Sequence, residues 1–288
     1  MKRANSKKED LYFWLLRGAA LISVLILLAV VGCLVVEGAP NITLHFLTGM
    51  WQTRNIERGG IFPAIYGSFL LGVMVVLFSV PLGIACAVYL TEFAKKGKLS
   101  WLIKLAIRNL SGVPSIVYGL FGLALFVSYL KLGTSLLAAA LTLTCMTLPW
   151  VIASSQEALR AVPTSHRLNS LALGATKWQT IRNVVLPSAL AGMLTGSIIG
   201  VARAMGETAP IIVVGATFYM GWLPSSPFDK FMALPYHTFI LATQHNDPLA
   251  PSYAASTALV LLALVLVLML GAIYVRHRIR GKRQEEGL

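Results

Sequence analysis

The chain has 288 residues, of which 57% are apolar or aromatic and only 12% are charged. A soluble domain carries about 25% charged residues, so this composition excludes a soluble globular protein and indicates an integral membrane protein. The net charge of +13 comes mainly from basic residues that flank apolar segments, which argues against nucleic-acid binding.

Six apolar segments are long enough to cross a bilayer core, which needs about 20 helical residues. They cover approximately residues 18–36, 65–89, 113–130, 134–152, 190–217 and 257–275. The first follows a basic stretch, as a signal peptide does. However, its apolar stretch is longer than the usual length of about 7–15 residues and the sequence after it is a poor cleavage site. We therefore predict a retained membrane anchor.

The third segment begins at Ser111-Gly-Val-Pro-Ser115. Proline is common in the first turn of a helix, where its missing N–H is not needed, so this stretch predicts a helix start. The hydroxyls of Ser111, Ser115 and Tyr118 are also placed to line a polar pathway. Both interpretations stay open from the sequence.

The long connection at residues 157–187 predicts two capped helices. Thr164 can begin the first helix, and Gly174 is placed to end it with a positive φ. Thr176 and Gln179 have the spacing of a capping box, and Pro187 is expected to end the second helix. The apolar residues available for an exposed or buried face are Leu168, Leu171, Trp178, Ile181 and Val185. Such residues predict packing under the membrane bundle and contact with another protein.

The fifth segment contains Arg203 and Glu207, the only formal charges inside a predicted span. An arginine at the bilayer centre costs about 2.5–3.5 kcal/mol on insertion scales, so Arg203 is not expected to face lipid. Helical geometry places both charges on the stripe of Gly192, Gly196 and Gly200, which predicts packing against other helices. We expect the two charges, four residues apart, to pair, and Pro210 to bend the span.

Two interpretations of this pair remain open. It can be a buried ion pair that fixes the register of the helix. Alternatively, Arg203 meets an anionic substrate, because guanidinium donates two parallel hydrogen bonds to an oxyanion, and Glu207 neutralises Arg203 between turnovers.

The distribution of Lys and Arg predicts the orientation. Nineteen of the 24 basic residues lie in four segments that fall on one side of the membrane, at residues 2–17, 95–108, 160–182 and 276–283. The other connections hold only four. The positive-inside rule therefore predicts six spans with both termini in the cytoplasm. On the exterior side, residues 218–256 are rich in Pro and aromatic residues and predict an ordered cap or a docking surface.

Two stretches of the sequence resemble a known family. The pattern of Gly174, nine residues, Val184, one residue and Leu186-Pro187 resembles the signature loop of the membrane subunits of ABC importers. The family's Glu-Ala-Ala falls on Leu168-Asn169-Ser170, so the chain departs from the pattern there. The stretch from Ala202 to Pro210 closely resembles phosphate-specific ABC importer permeases of the A type. The stretches 112–119 and 171–179 also resemble that subunit.

The resemblance implies an all-α, polytopic membrane protein with about six transmembrane helices and the type I (MetI-like) ABC importer permease fold. Residues 1–60 would form the N-terminal tail, first anchor and external loop, and 277–288 a basic cytoplasmic tail. The transmembrane domain would cover 61–276, with the coupling loop at 157–187. The implied location is the cytoplasmic (inner) membrane.

The resemblance also implies a function: ATP-driven import of phosphate by a subunit that is not itself an enzyme. The implied partners are a C-type permease subunit, a dimer of ATP-binding subunits and an extracytoplasmic phosphate-binding protein, besides membrane lipid. No cofactor, catalytic residue or metal site is expected in this chain, and ATP and Mg²⁺ would bind the ATPase. The expected pathway residues are Arg203, Glu207, Ser111 and Ser115. The expected coupling residues are Arg167, Leu168, Leu171, Gly174, Lys177, Trp178, Leu186 and Pro187.

Three other functions are weighed against this one. Arg203 alone does not separate phosphate from another oxyanion such as sulfate or molybdate. An ion-coupled carrier or channel would have no use for the capped loop. A membrane-embedded enzyme is disfavoured because the spans carry no Ser/His/Asp, HExxH or paired-carboxylate pattern. The chain has no P-loop, since Gly97-Lys98 is followed by Leu99 and lacks the upstream glycine.

Overall fold

The computed structural model describes residues 2–52, 55–95 and 97–285. Arg54 and Lys96, which enter the charge count, lie outside the described residues, as do residues 286–288 of the predicted basic tail.

The described chain is mostly helical, with one minimal sheet. The α-helices are α1 (Lys2–Gly38), α2 (Leu44–Thr48), α3 (Phe62–Val88), α4 (Lys98–Leu110), α5 (Ser115–Gly122), α6 (Leu136–Arg160), α7 (Thr164–Ala172), α8 (Lys177–Thr180), α9 (Leu186–Met205), α10 (Ala209–Ile212), α11 (Leu234–Thr243) and α12 (Ala250–Glu285). Three π-helical turns extend α3, α5 and α8, at Tyr89–Phe93, Leu123–Tyr129 and Ile181–Val185. Short 3₁₀ helices lie at Ala39–Asn41 and Ile56–Arg58. The strands β1 (Ala216–Thr217) and β2 (Phe231–Met232) pair in parallel.

Five helices of the described chain are long and apolar enough to span a membrane. They cover Tyr12–Asn41, Phe62–Phe93, Leu136–Arg160, Lys177–Met205 and Ala250–Arg278. A sixth span is possible if α4 and the helix Ser115–Tyr129 count as one, although their axes are bent by 108°. This arrangement confirms the predicted all-α fold with about six transmembrane helices.

The segment before the third predicted span differs from the expectation of a simple connection. It forms α4, a 13-residue amphipathic helix nearly perpendicular to the helix that follows. The break falls at Ser111–Pro114, because proline lacks an N–H and disfavours helical backbone in the residue before it.

Two predictions about the fifth span were wrong. Pro187 does not end the second loop helix: the helix runs continuously from Lys177 to Met205, with Pro187 in the first turn of α9. A π-helical turn precedes it, and this wider turn accommodates the missing N–H and the bulk of the ring. The helix of this span also ends at Met205, where Gly206 caps it, rather than near residue 217, and Pro210 lies in the first turn of the separate short helix α10.

The centre of the bundle is α6, which packs against α3 and α9. The predicted glycine stripe of α9 faces it: a Cβ at Gly192 would lie 2.8 Å from Cβ of Ala158, and one at Gly200 would lie 2.8 Å from Cδ1 of Trp150. Gly196 approaches Ser154 still more closely. Only small residues permit this approach of the two helices, which confirms the packing role of the stripe.

The connection at residues 218–256, which the sequence predicts to lie on the exterior side, forms an ordered cap. Phe46, Met220, Met232 and Leu234 are buried in one apolar cluster with the ends of α3 and α12. The first span joins this end of the bundle through Ser256, whose hydroxyl donates to the carbonyl of Gly38 (2.8 Å). The predicted ordered cap is therefore confirmed, while a docking role for its exposed residues stays a prediction.

Candidate anion pocket and coupling loop

A polar pocket of about 250 Å³ lies where the α4–α5 break meets α6 and the end of α9. It brings together the four predicted pathway residues, Ser111, Ser115, Arg203 and Glu207. One water occupies about 30 Å³ of liquid, so the pocket has room for a tetrahedral oxyanion with some of its hydration. Among the described residues that line it, only Arg203 and Glu207 are charged.

Arg203 and Glu207 pair, but not as neighbours on one helix. Arg203 lies in the last turn of α9, the amide of Gly206 caps that helix, and Glu207 follows in the turn. The Nε of Arg203 lies 3.7 Å from Oε1 of Glu207, too far for a hydrogen bond. The side chain of Arg203 is 64% exposed in the single chain and that of Glu207 is 20% exposed. Arg203 therefore faces the opening of the pocket, and its hydrogen-bonding edge is free to meet an anion.

The α4–α5 break forms another wall of the pocket. The hydroxyl of Ser111 donates to the carbonyl of Ile107 (3.1 Å), and Ser115 begins α5. The buried phenol of Tyr118 donates to the carbonyl of Leu110 (2.8 Å) and so ties the two helices across the break. The stretch is a helix start, as one interpretation predicted, and it lines the pocket; its place in a substrate pathway stays a prediction.

The residues predicted to form the coupling loop lie together at the end of the bundle where the α3 span and α6 end. The predicted helix α7 forms, and Gly174 follows it with a φ of +85°. Thr176 and Gln179 make the predicted capping box. The loop therefore has the helix–glycine–helix shape expected from the sequence.

An ion pair holds α7 to the bundle. Nη1 of Arg167 donates to both carboxylate oxygens of Glu92 at 2.6 and 2.7 Å, and Nη2 donates to the carbonyl of Leu159 (2.8 Å). Glu92 lies in the π-helical turn that ends the α3 span, and only 8% of its side chain is exposed. Arg167 thus connects α7 to the ends of both α3 and α6.

The second half of the loop meets the same end of α3. The ring of Trp178 lies 6.1 Å from that of Phe93, and Nζ of Lys177 lies 5.2 Å above the Phe93 ring. The hydroxyls of Ser170 and Thr180 bridge the two loop helices at 3.0 Å. Since α8 continues into α9, the loop joins α3 and α6 on one side to the helix that carries Arg203 on the other.

The predicted apolar face of the loop is divided. Leu168, Leu171 and Trp178 are 46–60% exposed, whereas Ile181 and Val185 are buried. Leu186 is partly buried against the same apolar cluster as Val185. The exposed part is available to a partner, and the buried part anchors the loop under the bundle.

Some residues of these two regions were missed from the sequence. Glu92 and Phe93 lie just beyond the second predicted span, which ends at residue 89, and Thr147 and Trp150 of α6, which line the pocket, carried no signal beyond a buried helix. A single charge at the end of an apolar span, as Glu92 is, was the one available indication of a polar contact.

Comparisons with known proteins place the chain in a family. Residues 79–281 match the family described as "Binding-protein-dependent transport system inner membrane component". The probable ABC transporter permease protein YqgI of Bacillus subtilis is 32% identical over 258 residues, covering 86% of this chain and 87% of that protein. The phosphate transport system permease protein PstA 1 of Mycobacterium tuberculosis is 34% identical over 228 residues, covering 75% and 72%.

Solved structures share the fold. The bacterial alginate ABC transporter aligns with a TM-score of 0.67 at 15% identity, covering 94% of this chain and 97% of that one. The MetNI methionine ABC transporter aligns with a TM-score of 0.59 at 20% identity, covering 76% and 94%. The expected MetI-like fold is thereby confirmed, and with the match over most of its length the chain belongs to the family of inner membrane components of binding-protein-dependent transport systems, as an ABC importer permease subunit.

Proposed function

We propose that this chain passes inorganic phosphate across the inner membrane as one of two permease subunits of an ATP-driven importer. The observation that carries the proposal is the pocket in which Arg203 is held by α9, faces outward from the chain and shares its space with Glu207, Ser111 and Ser115.

Arg203 accounts for an oxyanion as substrate. Its guanidinium keeps its charge and offers a planar fork of donors, and the 3.7 Å contact with Glu207 balances the charge without occupying that fork through hydrogen bonds. Serine hydroxyls in the pocket can donate to the remaining oxygens. An arginine 64% exposed in the single chain also suits a pathway completed by a second subunit.

Glu207 favours phosphate over sulfate or molybdate. At neutral pH phosphate carries at least one hydroxyl, which donates a hydrogen bond to a carboxylate, whereas sulfate and molybdate are fully ionised and only accept. A carboxylate that finds no donor on its ligand repels the anion. The similarity to phosphate transport permeases supports the same substrate.

The remaining parts of the importer follow from this assignment. A C-type permease would face Arg203 across the pathway, an extracytoplasmic phosphate-binding protein would deliver the ion, and an ATPase dimer that binds ATP and Mg²⁺ would engage the exposed face of the coupling loop. This chain would then carry no enzymatic activity. The Lys/Arg distribution orients both termini and the loop toward the cytoplasm.

The test is uptake of [³²P]phosphate by proteoliposomes containing the complete complex with its binding protein and internal ATP. We expect uptake that requires ATP and resists excess sulfate and molybdate. Arg203→Gln should reduce uptake at least 100-fold, since an oxyanion loses a charge-assisted bidentate partner worth about 3 kcal/mol. Arg278→Gln removes an equal charge from an exposed position near the end of α12 and serves as the matched control.

Other results would change the assignment. Uptake of sulfate in competition with phosphate would move the substrate to another oxyanion. Wild-type uptake by Arg203→Gln would reduce the ion pair to a device that fixes helix register. Phosphate movement by the purified chain without ATP or partners would establish a carrier or channel instead.

Glu207→Gln tests the carboxylate: we expect weaker phosphate uptake and loss of discrimination against sulfate.

A further inference from the structure

The helix α4 (Lys98–Leu110) has a surface that the transport site does not use. It is bent by 108° from the helix Ser115–Tyr129, so it runs close to the membrane plane when that helix runs along the normal. Ile103 and Ile107 pack against the cluster that contains Leu90 and Leu159, at the end of the bundle that bears the coupling loop. The helix is therefore held at the level of a membrane surface.

The rest of α4 is both apolar and basic. Leu99, Trp101 and Leu102 are 71%, 65% and 55% exposed. Lys98, Lys104 and Arg108 supply three positive charges, and the helix has no acidic residue. Within the described residues, none of the three forms a salt bridge.

We propose that α4 is an interfacial helix that binds anionic phospholipid headgroups of the cytoplasmic leaflet. A basic helix with tryptophan and leucine outside its polar face lies in the interface, with its apolar groups at the headgroup–acyl boundary. Each cation near an anionic surface contributes about a fivefold preference for it. The choice of leaflet rests on the proposed function, which puts the coupling loop in the cytoplasm.

Contact of α4 with lipid would also affect the shape of the anion pocket. Leu110 ends α4 and accepts the hydrogen bond of Tyr118, and the next four residues line the pocket. A lipid that fixes α4 therefore also fixes one wall of the pocket. We expect anionic lipid to raise the rate of phosphate uptake as well as to bind.

The test places the complete complex in nanodiscs that contain brominated phosphatidylglycerol or brominated phosphatidylcholine. Bromine quenches nearby tryptophan, and subtracting the signal of Trp101→Phe isolates Trp101. We expect at least threefold stronger quenching by the anionic lipid. Replacing Lys98, Lys104 and Arg108 by Gln should remove this preference. Replacing Arg58, Lys131 and Lys230, three exposed cations outside α4, by Gln should leave it intact.

Equal quenching by the two lipids would overturn the proposal. Quenching by neither would mean that a protein subunit covers α4, which also overturns it. Since quenching needs no transport, a preference for the anionic lipid would support the proposal for α4 even if phosphate is not the substrate. Conversely, failure of quenching with intact ATP-driven uptake would leave the proposed function standing.

Discussion

The coupling loop and the exterior cap lie at opposite ends of the bundle and are stabilised in different ways. The cap buries its large side chains: Phe46, Trp51, Phe231 and Met232 are at most 2% exposed. The loop leaves apolar surface open, with Leu173 89% exposed and Trp178 56% exposed. The cap therefore completes its own core, whereas the loop leaves apolar surface uncovered, as surfaces that bind another protein do.

The loop and the cap also differ in how their polar side chains are held. The loop is held by directional bonds, chiefly those of Arg167 to Glu92 and to the carbonyl of Leu159. The cap holds His237 by packing, with its ring 4.4 Å from that of Trp51 and 4.9 Å from that of Phe218. These links tie the loop directly to the ends of α3 and α6, whereas the cap is held mainly by close packing of large side chains.

Among the changes that test this comparison of loop and cap, breaking the Arg167–Glu92 pair should have the largest effect. Glu92→Gln leaves Arg167 without its counter-charge in a mostly buried position, and removal of one partner from such a pair costs about 3 kcal/mol. We expect ATP-driven uptake to fall at least tenfold while ATP hydrolysis continues, because the loop no longer moves with α3. Uptake and ATPase rates of the reconstituted complex measure this directly.

A charge swap provides the control for that prediction. Glu92→Arg combined with Arg167→Glu should recover part of the stability and of the coupling, with a pair energy of about 1–3 kcal/mol in the double-mutant cycle. If the swapped protein is no better than either single variant, the pair does not connect the loop to α3.

His237 tests the cap through pH. Burial and the nearby His245 lower the pKa of His237 from 6.5 to about 3. Between these values the unfolded chain binds a proton that the folded chain excludes, so stability falls as the pH drops below 6.5. At pH 5 the loss is about 2 kcal/mol, or about 4 °C in melting temperature. Thermal unfolding at pH 7.5 and pH 5 measures it.

His237→Phe should abolish most of this acid sensitivity, because the ring stays packed but no longer titrates. His166→Gln changes an exposed histidine of α7 and should retain the sensitivity. An unchanged pH dependence in His237→Phe would assign the acid sensitivity to other groups.

The sequence predicted those features that local chemistry determines. Apolar length gave the spans, and the spacing of Thr164, Gly174, Thr176 and Gln179 gave both loop helices, because caps and turns are decided within a few residues. The predicted pathway residues lie around one pocket, because a charge in a span and hydroxyls beside a helix-breaking proline both mark places where lipid is excluded.

Features that depend on distant residues were not predicted. Glu92 and Arg167 are 75 residues apart, and no spacing rule connects them. The π-helical turn before Pro187 was missed because proline alone predicts a helix end. The helix α4 was assigned to a connection on account of its charges, although Leu99, Leu102, Ile103 and Ile107 have helical spacing.

Substitutions at Gly174 should change stability the least. They distinguish the effect of the backbone conformation of the loop from the effect of its contacts with a partner. Its φ is +85°, and a Cβ there would meet no atom within 4 Å, so only backbone strain opposes a side chain. Gly174→Val should cost about 1–2 kcal/mol and reduce coupled uptake several-fold. Gly174→Asn adds a side chain of similar size but tolerates the left-handed conformation, so uptake should stay near that of the wild type. Equal loss in both variants would mean that a partner packs against the glycine itself. The exposed turn at the end of α7 would then be a contact surface of the loop.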